Sequence, residues 1–522
     1  MHALRSAVLR SIGMAAAVAA LAAVVPSTAG ALVPVKRVLM PAPPAPETPE
    51  PFIPPKTAHL GHEIDLNRVG IIEVGPKTAK NVLVLEPGTS AGAGYFVPFA
   101  RSLVEHTKGW QVWSVERREN FLEDQRELNK AKAKRATNAE TFCYYLGFLA
   151  GGGCSPHFVP LIPIFIPLAE AEGIKHFAEE WGMSVAVNDL HTVIEAAKGL
   201  GGKVVLGGHS LGGSVVTAYA TWDFSGSAGA DGLSGLVYDD GGSGPTPITK
   251  ETAEEELNGL RSRTAPGTAW LSFGGIQAPF LGLFSALGST GTLISPEEPS
   301  LAEGFPLLPE SLKPKNNPGC ELPQEGCERL PVSNEAEFGY GVNVGTSPPP
   351  LIAAQIHAGK GIETGVTNEA GVHPWNDSGA LTPLRRYAEM LSAPAVRNAD
   401  GSEWYFPERL TIDTGAVADG NANPAQEVLG EHAIHGHELP TSLKILAINS
   451  ELDKAFGANS LVAAEVLAEQ SGIPKSNLTL VDVESEYAHN DPNGADPSAG
   501  GIFANKFFRN MVPFLEEIAG TP

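Results

Sequence analysis

The sequence predicts an α/β fold: a mostly parallel sheet with helices on both faces. Short apolar runs alternate along the chain with segments of helical periodicity. In runs such as Val82–Leu85 every position is apolar, which is typical of strands that are buried on both faces. Hydrophobic residues make up 43% of the 522 positions, so the chain can bury a large core without a metal or a disulfide framework.

The predicted elements form two blocks. The first contains strand Val82–Leu85, helix Tyr95–His106, strand Gln111–Val115, helix 185–199, strand Lys203–Leu206, helix Ser214–Trp222 and strand Leu236–Tyr238. The second contains strand Leu443–Ile448, helix Leu461–Gln470, strand Leu478–Val483 and helix Ile502–Ile518. Helix 185–199 illustrates the evidence, because Leu190, Val193 and Ala197 recur at helical spacing.

The amino terminus predicts export. Arg5 and Arg10 precede a short apolar run, and small residues follow it up to Ala31. This is the pattern of a secretory signal peptide, and the run is shorter than the ~20 residues that a membrane-spanning helix needs. We therefore expect residues 1–31 to be removed near Ala31 and the mature protein to be secreted or extracytoplasmic, without a stable membrane span.

The remaining chain divides into one α/β domain and its additions. Residues 32–58 are rich in proline and predict an extended leader. Residues 59–240 and 440–522 carry the alternating strand and helix pattern of the α/β domain. The stretches 121–180 and 241–439 interrupt that pattern, and we expect them to form a cap over the site.

Four cysteines are too few for a cysteine-rich scaffold but are compatible with disulfides after export. They allow three pairings. We favour Cys143 with Cys154 and Cys320 with Cys327, because short loops close at little entropic cost.

The charge excludes one class of partner. The formal net charge is −23, from 36 Lys and Arg against 59 Asp and Glu. Such a surface repels phosphate backbones, so a general nucleic-acid binder is not expected. The sequence leaves the oligomeric state open.

Residues 208–212 (GHSLG) form a G-x-S-x-G motif with Ser210 at its centre. The motif directly follows a predicted strand and directly precedes a predicted helix, where a tight turn projects a nucleophilic serine. On these residues the chain resembles the α/β-hydrolase superfamily, and 208–213 (GHSLGG) are similar to the elbow of its secreted lipases and esterases. The resemblance implies the α/β-hydrolase fold with a large inserted cap.

The resemblance also implies an acid and a base, each after a later strand. Asp453 follows strand Leu443–Ile448 and is the expected acid, with Glu451 a weaker candidate. Asp239 and Asp240 end an earlier strand, where some lipases of the superfamily keep their acid, so they stay open as alternatives. His489 is the only histidine after strand Leu478–Val483 and is the expected base.

Two backbone N–H groups are expected to form an oxyanion hole. The resemblance assigns one to Leu211, directly after the nucleophile. It assigns the other to Thr89 in the loop after strand Val82–Leu85, with Ser90 second.

Two further patterns are set aside. His432, His435 and His437 lack the spacing of a zinc protease motif, and Asp419 with Asn421 and Asn423 lacks the glycine of an EF-hand calcium loop. The sequence thus implies no metal and no cofactor.

These features predict a secreted carboxylic-ester hydrolase that acts on a small-molecule, lipid or polymer ester through a Ser-His-Asp triad. Two alternatives remain open. One is an exported serine peptidase of the same fold, which would need acidic residues facing Ser210. The other is a catalytically silent binding protein that retains the fold.

Overall fold

The computed structural model describes residues 33–52, 63–147, 174–263, 268–273, 276–302, 308–451, 457, 459–497 and 505–520. The predicted signal peptide, Cys154 and Asp453 lie outside these residues.

The chain is organised around an eight-stranded sheet. Its strands are β1 (Val35–Pro41), β2 (Arg68–Val74), β3 (Asn81–Glu86), β4 (Trp110–Glu116), β5 (Val204–His209), β6 (Gly235–Asp239), β11 (Lys444–Asn449) and β12 (Leu478–Asp482). Two short ladders complete the set: β7 (Ser272–Phe273) with β8 (Ile276–Gln277), and β9 (Gly361–Ile362) with β10 (Trp375–Asn376). The sheet order is β1-β2-β4-β3-β5-β6-β11-β12. Within the eight-stranded sheet, strand β2 runs antiparallel to both its neighbours, and all the remaining pairings are parallel. The predicted mostly parallel sheet is therefore confirmed.

Both faces of this sheet are buried because side chains alternate along each strand. Leu83 and Leu85 of β3 point into one hydrophobic cluster, while Val82 and Val84 point into another on the opposite face. Helices cover both faces, as the all-apolar strands predicted. The packed layers on the two faces of the sheet thereby fix the positions of the strand ends.

The helices are α1 (Val97–His106), α2 (Arg126–Lys132), α3 (Asn138–Leu146), α4 (Ile174–Glu180), α5 (Met183–Lys198), α6 (Leu211–Thr221), α7 (Lys250–Ser262), α8 (Ala278–Ile294), α9 (Asn334–Val342), α10 (Leu384–Ser392), α11 (Glu408–Thr414), α12 (Pro424–Leu429), α13 (Ser460–Ser471), α14 (Asp491–Gly494) and α15 (Lys506–Ala519). Helices α1 and α15 lie on the face of Leu83, and α5, α6 and α13 lie on the face of Val82.

Part of the predicted leader belongs to the sheet. Residues 35–41 form β1, which pairs in antiparallel register with β2. From β1, the Arg37 guanidinium reaches across β2 to Glu116 of β4, with Nε 2.7 Å from Oε2. Gly70 of β2 leaves room for this pair, since a Cβ there would lie 2.3 Å from Oε2 of Glu116. The proline content predicted an extended leader, and sequence reasoning did not predict this strand because its hydrogen-bonding partner is distant in sequence.

The two inserted stretches pack against each other. One hydrophobic cluster contains Leu128 and Tyr145 from the first stretch and Leu283, Leu287 and Trp404 from the second. The ring of Tyr145 meets that of Trp404 edge-on, with centroids 5.7 Å apart.

The second stretch also contributes to the sheet layers. Phe406, Leu410, Val417, Ala433 and Leu439 pack into the same cluster as Val82. Residues from about 406 to 439 therefore cover one face of the sheet. The sequence prediction placed these residues in the cap, together with the rest of 241–439.

Cys320 and Cys327 form the predicted local disulfide, with their Cα atoms 5.7 Å apart. Cys143 is also disulfide-bonded. Across the described ranges, no helix combines the length and apolar character needed to cross a bilayer.

Candidate active site

Ser210 occupies the turn between β5 and α6. Its backbone lies in the left-handed region, with φ 57° and ψ −128°. Such a conformation is strained for a residue with a side chain and persists only where the surrounding structure imposes it. Here the Ser210 N–H donates to the carbonyl of Asp239 at 3.0 Å, and the Ser210 carbonyl accepts from Gly213 at 2.9 Å. The predicted strand–turn–helix context of the motif is thus present.

Close backbone approaches around this turn require glycine. A Cβ at Gly208 would lie 2.1 Å from the carbonyl oxygen of Gly212, and one at Gly212 would lie 2.3 Å from that of Glu86. A Cβ at Gly88 would lie 2.6 Å from the Cβ of Ser210. The turn and the loop after β3 therefore lie against each other.

His489 lies in the loop after β12, where sequence predicts the base. Its Nδ1 is 2.5 Å from Oδ2 of Asp240, and both side chains are buried. Because the carboxylate oxygen can only accept, Nδ1 carries the proton and Nε2 is left to act as the base. His489 and Ser210 line the same cavity.

Asp240 is held in its charged form. Burial alone would raise the pKa, but the hydrogen bond and charge of His489, together with Ser450, lower the pKa of Asp240 below its ordinary value. The backbone N–H of Ser450 donates to Oδ1 of Asp240 at 2.5 Å, and the Ser450 hydroxyl donates to Oδ2.

The neighbouring Asp239 points elsewhere. Its Oδ2 accepts from Asn493 at 2.5 Å, and burial raises the pKa of Asp239 well above its ordinary value. Asp453, the acid favoured from sequence, lies outside the described residues. Of the alternatives left open, the structure brings Asp240 to His489.

His209, directly before Ser210, packs against His489. Its ring stacks on that of His489 with centroids 4.4 Å apart and on that of Tyr95 at 5.0 Å. Burial lowers the pKa of His209 to about 3, so the ring is neutral at ordinary pH. Its Nε2 lies 3.1 Å from the carbonyl of His489, which can only accept. His209 therefore supports the loop that carries His489.

Of the two residues predicted for the oxyanion hole, Thr89 lines the cavity and Leu211 directly follows Ser210. Leu211 is the first residue of α6, and N–H groups in the first turn of a helix have no acceptor within the helix. Thr89 and Gly88 line the cavity together with Ser210.

The cavity has a volume of about 230 Å³. Away from Ser210 its described wall is mostly apolar and comes from the inserted stretches. These residues are Phe142, Phe273, Leu281, Phe284, Leu287, Leu301, Ala302, Leu308, Leu312, Phe338, Val342, Leu351, Tyr387 and Leu391. Such a wall favours a substrate with an apolar group.

Within the described ranges, no three His, Cys, Asp or Glu side chains converge on a site that could hold a metal ion. One of the three histidines set aside in the sequence, His435, is paired with two carboxylates. Its Nε2 lies 3.0 Å from Oδ1 of Asp223, and its Nδ1 lies 2.5 Å from Oε2 of Glu438.

Sequence reasoning missed three contributors to this site: Ser450, Tyr95 and Arg117. Ser450 directly follows β11, a position that could have indicated a second-strand donor to the acid. The Tyr95 hydroxyl donates to Asn490, next to the base, at 2.9 Å. Arg117 directly follows β4 and belongs to no sequence motif.

The strand order and the serine turn define the α/β-hydrolase fold, which the chain has. No protein-family model and no curated relative matches the sequence. Among solved structures, a candidate lipase from Sulfolobus solfataricus is 12% identical, with 93% of this chain and 95% of that chain covered and a TM-score of 0.40. A carboxyl esterase from Bacillus coagulans is 11% identical, covering 93% and 99%, with a TM-score of 0.37. An epoxide hydrolase from Mycobacterium thermoresistibile is 13% identical, covering 85% and 95%, with a TM-score of 0.35. The fold assignment therefore rests on the sheet and the turn, not on these matches.

Proposed function

We propose that this protein is a carboxylic-ester hydrolase that works through an acyl-enzyme. The observation that carries the proposal is the strained Ser210 turn in one cavity with the His489–Asp240 pair. In this reaction the Ser210 hydroxyl attacks the ester carbonyl while Nε2 of His489 takes its proton. His489 then returns the proton to the leaving alcohol, and water releases the acid by the same route.

Asp240 is the proposed acid of the triad, in the place for which the sequence favoured Asp453. It holds the imidazole in the tautomer with the proton on Nδ1 and stabilises the imidazolium that forms. The N–H groups of Thr89 and Leu211 are the proposed donors to the oxyanion.

The apolar cavity wall supports an ester with an apolar acyl or alkyl group. Glu337 is the only carboxylate among the described lining residues. The cavity therefore does not provide the acidic surface that the alternative, a serine peptidase, would need. We further propose that the chain is exported, in keeping with its signal-like amino terminus and its disulfide.

The test is turnover of nitrophenyl esters with acyl chains of increasing length. We expect Ser210→Ala to lower kcat by about four to six orders of magnitude. We also expect it to abolish labelling by a fluorophosphonate probe, which reacts with activated serines. Unchanged turnover in Ser210→Ala would overturn the mechanism, and no turnover of any ester by the unmodified protein would overturn the substrate class.

A further inference from the structure

We propose that Arg117 is a positioning residue for the oxyanion hole and that the inserted stretch 241–439 holds it in place through Glu403. The proposal rests on the proposed function. It adds a residue outside the triad and a physical link between the insertion and the reacting centre.

Arg117 follows β4 and is buried behind the loop of residues 87–91. Its Nη1 donates to the carbonyl of Pro87 at 2.9 Å, and its Nη2 donates to those of Gly88 and Ala91 at 2.9 and 3.1 Å. One side chain thus binds three carbonyls of a five-residue loop. A guanidinium can do this because its donors lie in a rigid plane.

The carbonyl of Gly88 and the N–H of Thr89 belong to the same peptide unit. In a trans peptide these two groups point in opposite directions. When Arg117 binds the carbonyl from behind the loop, the Thr89 N–H is directed to the opposite side, where Thr89 and Ser210 line the cavity. The orientation of one oxyanion donor therefore depends on Arg117.

Three carboxylates hold the guanidinium, and the nearest in sequence is Glu119, whose Oε1 lies 3.3 Å from Nε. Glu86 at the end of β3 accepts from Nη1 at 2.9 Å, and Glu403 from the insertion accepts from Nη2. The side chains of Arg117 and Glu403 are 4% and 0% exposed. A buried charge is stable only when paired, so Glu403 depends on Arg117, and Arg117 on the carboxylates around it.

The backbone around Glu403 binds the same loop. Its N–H donates to the carbonyl of Ser90 at 2.9 Å. Gly92 and Gly94 donate to the carbonyls of Gly401 and Asp400 at 3.0 and 2.9 Å. The insertion therefore contacts the oxyanion loop through its backbone and through Arg117.

The adjacent Arg118 provides a matched control. It is equally buried and is paired with Asp189, whose Oδ1 lies 2.5 Å from its Nη2. Its other donors reach Asn67 and Pro43, which lie outside the loop of residues 87–91. Replacing either arginine by lysine keeps the charge and removes the planar fork.

The experiment compares Arg117→Lys with Arg118→Lys, both assayed well below their unfolding temperatures. The first readout is the rate of Ser210 labelling by a fluorophosphonate, whose phosphoryl oxygen occupies the oxyanion site. We expect Arg117→Lys to label roughly 10- to 100-fold more slowly and Arg118→Lys to stay within about 2-fold of the unmodified protein. With an ester substrate, kcat should fall by a similar factor with little change in KM.

A second readout separates positioning from general damage. A boronic acid forms a tetrahedral adduct with a serine oxygen, so its affinity should fall in Arg117→Lys. The product carboxylic acid, which forms no such adduct, should bind as before. Labelling and kcat that match those of Arg118→Lys, or equal losses for both ligands, would overturn the proposal. If no ester is hydrolysed but Ser210 still labels, the proposed function fails while the labelling comparison still decides the role of Arg117.

If Arg117→Lys does not fold, Glu403→Gln replaces it, with Asp189→Asn as its control. We expect Glu403→Gln to label Ser210 about 3- to 10-fold more slowly than Asp189→Asn. Equal rates in these two variants would overturn the proposal.

Discussion

The cavity has two walls of different origin. The wall at the carboxyl ends of β5 and β6 carries Ser210 and Asp240 on turns that the sheet hydrogen bonds hold in place. The opposite wall comes from the inserted stretches and is built mainly from the apolar side chains of α8, α9 and nearby loops. Under the proposed function, the sheet edge supplies the reacting side chains, whereas the insertion supplies the apolar wall and, through Glu403, a support for the loop of residues 87–91.

Asp240→Asn attacks the sheet-edge wall and should have the largest effect. An amide at this position removes the charge that stabilises the imidazolium and favours the wrong tautomer, so we expect kcat to fall by about 10⁴. Asp239→Asn is the control, because burial already raises the pKa of Asp239 and its Oδ2 accepts from Asn493, whereas His489 bonds Asp240. The measurement is kcat for the best nitrophenyl ester.

The same assay decides the place of Asp453. A loss of about 10⁴ in Asp453→Asn, with little loss in Asp240→Asn, would return the role of the acid to Asp453.

Gly341→Leu attacks the inserted wall and should change selectivity more than rate. A Cβ at Gly341 in α9 would find Leu312 at 3.7 Å, an ordinary contact, so a side chain can enter the cavity without displacing the backbone. We expect kcat/KM to fall roughly tenfold or more for long acyl chains and to change little for acetate esters.

Gly259→Leu is its control, since Gly259 lies on the exposed face of α7 with open space beside it. A uniform loss across all chain lengths in Gly341→Leu would contradict the assignment of selectivity to this wall.

His357 connects the two walls and should show the smallest effect. Its Nδ1 lies 2.6 Å from Asp491, whose Oδ2 also accepts from Ala488 beside the base at 2.8 Å. The hydrogen bond to Asp491 raises the pKa of His357. A raised folded-state pKa contributes stability that is complete below the unfolded value of ~6.5 and is lost as pH rises through the folded value.

We therefore expect the unmodified protein to melt about 1–2 °C above His357→Gln at pH 5.5, with the two melting points converging at pH 8.5. His437→Gln, on an exposed histidine, should show a smaller change. A melting-point difference that grows with pH would contradict this assignment.

The sheet core could be predicted from sequence because its strands are apolar at every position. The run Val82–Leu85 became β3, and Leu443–Ile448 became β11 with a shift of one residue. Strand β1 escaped because it is only partly buried, and its pairing partner β2 follows after a gap of 26 residues that the chain pattern does not bridge.

The acid could be narrowed but not chosen from sequence. Asp239 and Asp240 are adjacent, and both are buried. The strand ends at Asp239, and the next residue turns back with φ 45°. That turn decides which carboxylate meets His489, and no local pattern reports it. Arg117 was equally hidden, because its role comes from loop carbonyls and from Glu403, 286 positions away.

The contact between Glu403 and Arg117 limits how much of the insertion could be deleted. The chain leaves the sheet at the carboxyl end of β6 and re-enters at the amino end of β11, so any shortened version must still cross the whole sheet. Residues 406–439 already provide that crossing. A shortened chain without α8 and α9 would still have Glu86 beside Arg117, but a cut beyond residue 399 would remove Glu403, a second buried carboxylate on that guanidinium. A deletion that keeps Glu403 and also α10, whose Tyr387 and Met390 pack into the same cluster as Leu83, must therefore end before Leu384.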